Sequence, residues 1–145
     1  NKNHLPLTYG LLMGMPGIPC IYYGSEWGEP GEKSPDNDYA LRPCFEEPKP
    51  NELTELIKKL IRIRQKSDGL CNGSYRNVVL TNHQLIFERA TEKEKLLVAI
   101  NASDNSYIAS HGDLNGSVIE LITGSKLDLS GNLEMPPYSI QYLQF

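Results

Sequence analysis

The sequence predicts an α+β fold in which a helix, a strand and a second helix precede an all-β antiparallel sandwich. Two observations predict the first half: a short apolar run at Ile18–Tyr23 and a strongly periodic segment at Asn51–Lys66. A third predicts the second half, because after Leu70 short β-rich runs alternate with clusters of Asn, Asp, Gly and Ser. We therefore expect two units, residues 1–69 and residues 70–145.

The first predicted element is a short helix at Leu5–Met15. Its apolar residues recur at helical spacing, and Pro16 followed by Gly17 is a typical helix terminator. The next run, Ile18–Tyr23, is apolar at consecutive positions, which predicts a strand covered on both faces, as in a parallel sheet. Residues Gly24–Pro50 contain five prolines and show no sustained periodicity. We predict a long loop there, of the kind that builds a functional site.

The segment Asn51–Lys66 carries the clearest helical pattern of the chain. Asn51 is a good N-cap, acidic residues lie near the first turn and basic residues near the last. Gly69 is the predicted left-handed stop. One apolar stripe is formed by Leu53, Leu56, Ile57, Leu60, Ile61 and Arg64.

Five short strands are predicted in the second half. The last one places Tyr138, Ile140 and Tyr142 on one face. Their number is sufficient to bury a core of their own. The predicted strands are Tyr75–Leu80, Gln84–Ala90, Leu96–Asn101, Val118–Ile122 and Tyr138–Phe145.

Composition and charge limit the partners. The chain of 145 residues is 39% hydrophobic and 22% charged, and its net charge of −4 comes without a basic stripe, which argues against nucleic acid. No apolar run is long enough to span a membrane. Cys20, Cys44 and Cys71 are odd in number and form no CxxC pair, so we expect reduced, structural thiols and no zinc site. A cytoplasmic location is slightly favoured. We expect His83 and His111 at the surface.

The segment Gly14–Gly28 resembles the stretch around the eighth barrel strand of the α-amylase family of glycoside hydrolases. That family shows a Pro-Gly-Ile-Pro element, then Tyr-Gly and, one residue later, Glu; Pro16–Glu26 fits this pattern without a gap. Leu41–Phe45 is similar to the family's Arg-Pro-Met-Trp element, with Cys44 and Phe45 replacing the usual pair. The order of elements agrees over the whole chain.

The resemblance implies a fold and an activity. Leu5–Met15 would be the seventh helix of a TIM-type (β/α)8 barrel, Ile18–Tyr23 its eighth strand and Asn51–Lys66 its eighth helix. Residues 70–145 would form the β-domain called C. The larger enzyme would hydrolyse or transfer α-glucosidic bonds in starch- or maltodextrin-type substrates by double displacement.

The resemblance also implies that the catalytic carboxylates lie outside this chain. In the family they stand at the ends of strands four, five and seven, so no residue here receives a catalytic role, and the isolated chain is expected to be inactive. His4 is followed by Leu5 rather than by the family's aspartate, so we reject it. We predict no metal ligand and no cofactor, and the larger enzyme leaves a calcium site open.

Three residues are predicted at the rim of the substrate site, since barrel enzymes bind substrate with loops that follow the strands. Glu26 would brace neighbouring loops, or contact a sugar directly. Trp27 would pack against the barrel end, or stack on a glucose ring. Arg42 would form a salt bridge with a nearby acidic residue, or donate to a sugar hydroxyl. The acidic candidates are Asp36, Asp38, Glu46 and Glu47.

An unpaired strand poses a physical problem for the isolated chain. A parallel strand with two apolar faces needs neighbours, so we expect the first 50 residues to pair with another chain through it, or to pack on the β-domain differently from a barrel. A different class of function remains open: a carbohydrate-binding or purely structural β-domain. An inactive relative that serves as a partner protein is a third reading.

Overall fold

Three α-helices precede six strands in residues 2–145, the part of the chain that the computed structural model describes. Asn1, where the first predicted unit begins, lies outside the described residues. The helices are α1 (His4–Gly14), α2 (Glu52–Lys66) and α3 (Asp68–Asn72). The strands are β1 (Ser74–Leu80), β2 (Gln84–Ala90), β3 (Lys95–Asn101), β4 (Tyr107–Glu120), β5 (Ser125–Met135) and β6 (Ser139–Gln144).

The six strands form one antiparallel sheet in the order β1-β2-β3-β6-β4-β5. An ion pair of 2.8 Å joins Arg76 on β1 to Asp113 on β4, near the opposite end of this order. This contact shows that the sheet curls. The two packed layers expected of a sandwich therefore come from a single curled sheet. One buried cluster fills the inside of the curl, with Ile86, Leu97, Ala99, Ala109, Leu114, Val118, Leu133, Met135 and Leu143.

Strand β3 is buried on both faces, because it lies between two apolar clusters. Leu97 and Ala99 face the inside of the curl, whereas Leu96, Val98 and Ile100 face the helices. This alternation is what the pleat of a strand requires. The cluster on the helical side draws on α1, α2 and α3 as well as the sheet: Leu7, Tyr9, Met13, Ile57, Leu60, Leu70, Phe87, Leu96, Val98, Ile100 and Tyr142.

Helix α1 packs directly on the sheet through two glycines one turn apart. A Cβ atom on Gly10 would lie 1.6 Å from Ile140 Cδ1, and one on Gly14 would lie 2.9 Å from Phe87 Cζ. The absent side chains let the helix backbone approach closely enough for the Tyr142 hydroxyl to donate to Gly10 O at 2.6 Å. Helix α1 thus packs on the β-domain, but Ile18–Tyr23 pairs with no strand of the described residues and is largely exposed. This contradicts the expectation that packing on the β-domain covers the segment.

The predicted strand at Ile18–Tyr23 is wrong for this chain, because the segment joins no sheet. Ile18 is 97% exposed and Tyr22 is 55% exposed, and only Ile21 packs against the helical cluster. A strand with two apolar faces depends on neighbours for hydrogen bonds and cover. The six strands in residues 2–145 all belong to the antiparallel sheet, so none is left to pair with Ile18–Tyr23. Pro19 also has no backbone N–H to donate to a neighbouring strand.

Helix α2 confirms its prediction, whereas the stop predicted at Gly69 is wrong. The Asn51 side chain accepts from the Thr54 backbone N–H at 3.1 Å, and Thr54 Oγ1 accepts from the Asn51 backbone N–H at 3.1 Å, which forms a capping box. The helix ends at Lys66 because Ser67 adopts an extended backbone and caps the next helix, α3. Gly69 lies inside α3, where a Cβ would come within 2.8 Å of the Leu96 side chain.

No helix in residues 2–145 has the length and apolar character that crossing a membrane requires. The long loop between α1 and α2 is present, and it contains two short 3-10 turns, Ser25–Trp27 and Tyr39–Leu41.

Candidate functional site

The predicted rim residues Glu26 and Trp27 lie together on the Ser25–Trp27 turn. Two glycines delimit this turn, Gly24 at φ 85° and Gly28 at φ 73°. Both are in the left-handed region, which other residues rarely adopt. The Ser25 hydroxyl reinforces the turn by donating to Tyr22 O at 2.5 Å. The rim residues are therefore presented by a tight, locally determined structure rather than by a loose loop.

The capping box of α2 also holds this turn. Thr54 Oγ1 lies 3.0 Å from Glu26 O, and Asn51 Nδ2 donates to Trp27 O at 2.9 Å. The two residues that start the helix thus also bind the backbone carbonyls of both rim residues. The position of Glu26 and Trp27 relative to α2 is therefore set by the start of that helix, which the sequence predicts.

Aromatic rings connect the two ends of the long loop. The Phe45 ring contacts Trp27 edge-on with 5.1 Å between centroids, and it contacts Tyr23 at 6.0 Å. Tyr23 in turn lies 4.7 Å from Tyr22. A Cβ on Gly24 would come within 2.7 Å of the Phe45 ring, so this glycine makes room for the aromatic contact. Partial burial, with the neighbouring Tyr22 hydroxyl, raises the pKa of Tyr23.

Two polar atoms of the rim are buried without a hydrogen-bond partner among residues 2–145: Glu26 Oε2 and Trp27 Nε1. Buried polar atoms in folded proteins are nearly always paired. Arg42, the third predicted rim residue, directly follows the other 3-10 turn and forms an ion pair of 2.8 Å with Asp38. The salt bridge considered from the sequence is thus observed, and the structure brings together Glu26 and Trp27 rather than all three residues.

Two arginines hold the C-terminal end of α1. Arg64 donates through Nη1 to Met13 O at 2.6 Å and to Met15 O at 2.9 Å, and through Nη2 to Gly17 O at 2.6 Å. Arg89 Nη1 donates to Gly14 O at 2.7 Å. Both are buried, Arg64 at 7% exposure and Arg89 at 1%. Burial, together with the positive charge of Arg64, lowers the pKa of Arg89.

The described residues contain no group of three or more His, Cys, Asp or Glu side chains arranged to hold a metal ion. His83 is exposed in the turn between β1 and β2, and His111 is exposed on β4 beside Asp113. The histidine side chains are therefore at the surface, as the sequence predicts.

Comparison with known proteins gives the chain a family. No protein-family model matches the sequence. A cyclomaltodextrinase of Thermoanaerobacter pseudethanolicus is 32% identical over 120 residues, which cover 81% of this chain and 20% of the relative. An α-amylase structure from Anoxybacillus matches 99% of this chain and 32% of its own, with a TM-score of 0.84 and 25% identity. The chain belongs to the α-amylase family of glycoside hydrolases.

The α-amylase-family relatives are much longer than this chain. A cyclomaltodextrin glucanotransferase of Niallia circulans is 28% identical over 133 residues, which cover 92% of this chain but 18% of the relative. The chain thus spans about a fifth of the length of the curated relatives and about a third of the matched structure. The match is to their C-terminal region.

Sequence reasoning missed two residues that hold distant segments together, Phe45 beside Trp27 and Arg89 beside Gly14. Phe45 was noticed only as a departure from a motif, although it anchors the loop. Arg89 carried no signal, because its contact with Gly14 joins residues 75 positions apart. Arg64 did carry a signal: a charged residue at a position of an apolar stripe must be buried with partners, or placed at the edge of the stripe.

Proposed function

We propose that this chain is part of a larger enzyme that hydrolyses or transfers α-glucosidic bonds in starch- or maltodextrin-type substrates. The observation that carries the proposal is the match of nearly the whole chain to an α-amylase structure, with a TM-score of 0.84. Relatives named cyclomaltodextrinase and cyclomaltodextrin glucanotransferase support the same class of substrate and both outcomes, hydrolysis and transfer.

Residues 1–69 would complete the catalytic (β/α)8 barrel, and residues 70–145 would form domain C. In the larger enzyme, Ile18–Tyr23 would occupy the place of the eighth barrel strand. The exposure of Ile18 and Tyr22 supports this proposal, because exposed apolar side chains on such a segment would gain cover between two neighbouring strands. The same segment would make the isolated chain prone to self-association.

The rim residues would act by positioning and by contact with substrate. The buried, unpaired Oε2 of Glu26 supports a bracing role in which another loop of the enzyme donates to it. The Trp27 ring stands nearly perpendicular to the Phe45 ring and its Nε1 is buried, which supports a packing role over direct stacking on a sugar. Arg42 and Asp38 are largely exposed, so their ion pair leaves guanidinium donors available for a sugar hydroxyl.

The catalytic step would use carboxylates from other strands of the larger enzyme. Double displacement needs a nucleophile and a protonated acid about 5–5.5 Å apart. We propose that the chain itself contributes neither of them, requires no cofactor and does not bind nucleic acid.

The test uses the full-length protein that contains this chain. It should release reducing sugar or form transfer products from maltodextrin or cyclomaltodextrin, whereas the 145-residue chain alone should do neither. A full-length protein without activity on any α-glucan would refute the proposal. Activity of the chain alone would refute the placement of the carboxylates elsewhere. Titration of the chain with maltooligosaccharides distinguishes the rival reading, because only a binding β-domain predicts saturable shifts there.

A further inference from the structure

The end of α1 needs partners that α1 itself does not supply. The last carbonyls of a helix lack intrahelical donors and form its negative pole, and the last turn of α1 contains no basic residue. Arg64 from α2 and Arg89 from β2 supply the donors instead. We call these two residues the arginine clamp.

The clamp places two positive charges in the interior without a carboxylate. Within residues 2–145, the donors of both side chains go to backbone carbonyls, and Arg89 also donates to Gly73 O at 2.9 Å and Ser74 O at 3.1 Å. Burial of a charge is costly unless hydrogen bonds replace its hydration. An apolar side chain would avoid that cost but would leave the carbonyls at the end of α1 without donors. The clamp therefore holds the backbone in addition to filling space.

The clamp residue Arg64 is one of two anchors on α2. Arg64 binds the backbone at Met15 and Gly17, directly before the Ile18–Tyr23 segment. At the other end of α2, Thr54 lies within hydrogen-bond distance of Glu26 O. Ten residues separate Arg64 from Thr54, or about 15 Å along a helix axis. Helix α2 thus fixes the chain on both sides of a segment that has no sheet partner.

We propose that Arg64 and Arg89 are positioning residues that fix where the rim residues Glu26 and Trp27 stand relative to substrate. This proposal rests on the proposed function. The clamp sets the point from which Ile18–Tyr23 leaves α1, and the capping box sets the point at which it ends. Because Arg89 belongs to the β-domain, that domain takes part in shaping the rim without contacting substrate.

The test compares variants of the full-length enzyme. Arg64→Met keeps an unbranched apolar stem but removes the guanidinium, which leaves three carbonyls without donors. Arg64→Lys keeps the charge but loses the two-nitrogen fork. Leu133→Ala is the control, because it creates a cavity inside the curl of the sheet, on the face opposite to the clamp. The measurements are kcat and KM for maltooligosaccharides well below the unfolding temperature, and amide hydrogen exchange of peptides covering residues 18–27.

We expect Arg64→Met to lower kcat/KM about tenfold or more, since a displacement of 1 Å can cost about a hundredfold. Exchange of residues 18–27 should become faster, and Arg64→Lys should lie between Arg64→Met and the wild type. Leu133→Ala should lose stability yet keep kcat/KM within about twofold of the wild type. Wild-type kinetics and exchange in Arg64→Met would overturn the proposal, and the same result in Arg64→Lys would do so if Arg64→Met fails to fold. A wild-type enzyme inactive on α-glucans would refute the proposed function, while hydrogen exchange would still test the clamp.

Discussion

Substitution of Gly14 by alanine tests the close packing of α1 on the sheet. An added Cβ would lie 2.9 Å from Phe87 Cζ and 3.3 Å from both Val98 Cγ1 and Tyr142 Oη. These three atoms belong to three different strands, so no single side chain can rotate away to make room. The helix would have to lift from the sheet.

The expected net loss of stability is at least about 1 kcal/mol. Overpacking of a core costs about 1–3 kcal/mol, and alanine returns at most about 1 kcal/mol of helix propensity. Lifting of the helix also lengthens the bonds from Tyr142 to Gly10 O and from Arg89 to Gly14 O, each worth about 0.5–3 kcal/mol. Because both bonds weaken, the substitution is expected to lower the free energy of unfolding rather than raise it.

The assay is urea unfolding of the chain followed by far-UV circular dichroism. Gly112→Ala is the matched control, because a Cβ at Gly112 on β4 would meet nothing within 4 Å. The control should be neutral or slightly stabilising, since glycine costs about 0.5–1 kcal/mol inside a strand. A Gly14→Ala chain as stable as the wild type, beside a neutral control, would refute close packing of α1.

Three further predictions address the cap, a bridging carboxylate and a buried phenol. Asn51→Ala should lower the free energy of unfolding in urea by about 1–2 kcal/mol, because the helix cap is lost. Asn51→Asp should keep the cap and lose only the bond to Trp27 O, which should speed amide exchange of Trp27. Equal exchange in both variants and the wild type would contradict the role of Asn51 in holding the turn. Glu94→Gln should lower the free energy of unfolding by about 1–3 kcal/mol, because the carboxylate accepts three hydrogen bonds. Glu92→Gln is the control and should be neutral. Equal unfolding midpoints of the two variants would exclude the bridging role of Glu94. Burial raises the pKa of Tyr142, so as pH rises the unfolded chain loses the phenol proton before the folded chain does. The free energy of unfolding should therefore fall above about pH 10, by up to about 1.4 kcal/mol per pH unit. Tyr142→Phe should flatten that alkaline decline. An unchanged slope would show that the Tyr142 phenol is not its source.

Elements with a strong local pattern were predictable from the sequence. The helix predicted at Asn51–Lys66 is observed at Glu52–Lys66, with Asn51 as its cap, and the strand predicted at Gln84–Ala90 is observed with the same bounds. In both cases the periodicity and the end signals lie within the element itself. Such elements do not depend on which neighbour they meet.

Strand β5 was missed because its residues resemble those of turns. It contains Asp, Ser, Gly and Asn, and Gly131 has a φ of 87°. Leu127, Leu129, Leu133 and Met135 nevertheless recur at even spacing and pack against the cluster inside the curl. That alternation was the available signal. The first half of β4, rich in the same residue types, was missed for the same reason.

The candidate site was predictable only where its residues are neighbours in sequence. Glu26 and Trp27 share a turn because they are adjacent. Arg42 pairs with Asp38 four residues away, as one of the alternatives had it. The contact of Phe45 with Trp27 and that of Arg89 with Gly14 depend on how distant segments meet, which no local pattern encodes. The roles of Glu26, Trp27 and Arg42 toward substrate stay predictions.

The cluster shared by the helices and the sheet sets a rule for truncation and fusion of this chain. Leu7, Met13 and Leu60 cover the face of β3 that carries Val98. A cut between residues 69 and 70, at the predicted boundary of the two units, would leave a broad oily face of the sheet in water. The piece that holds residues 70–145 would then be expected to aggregate, so a fusion that uses the β-domain should also include α1 and α2.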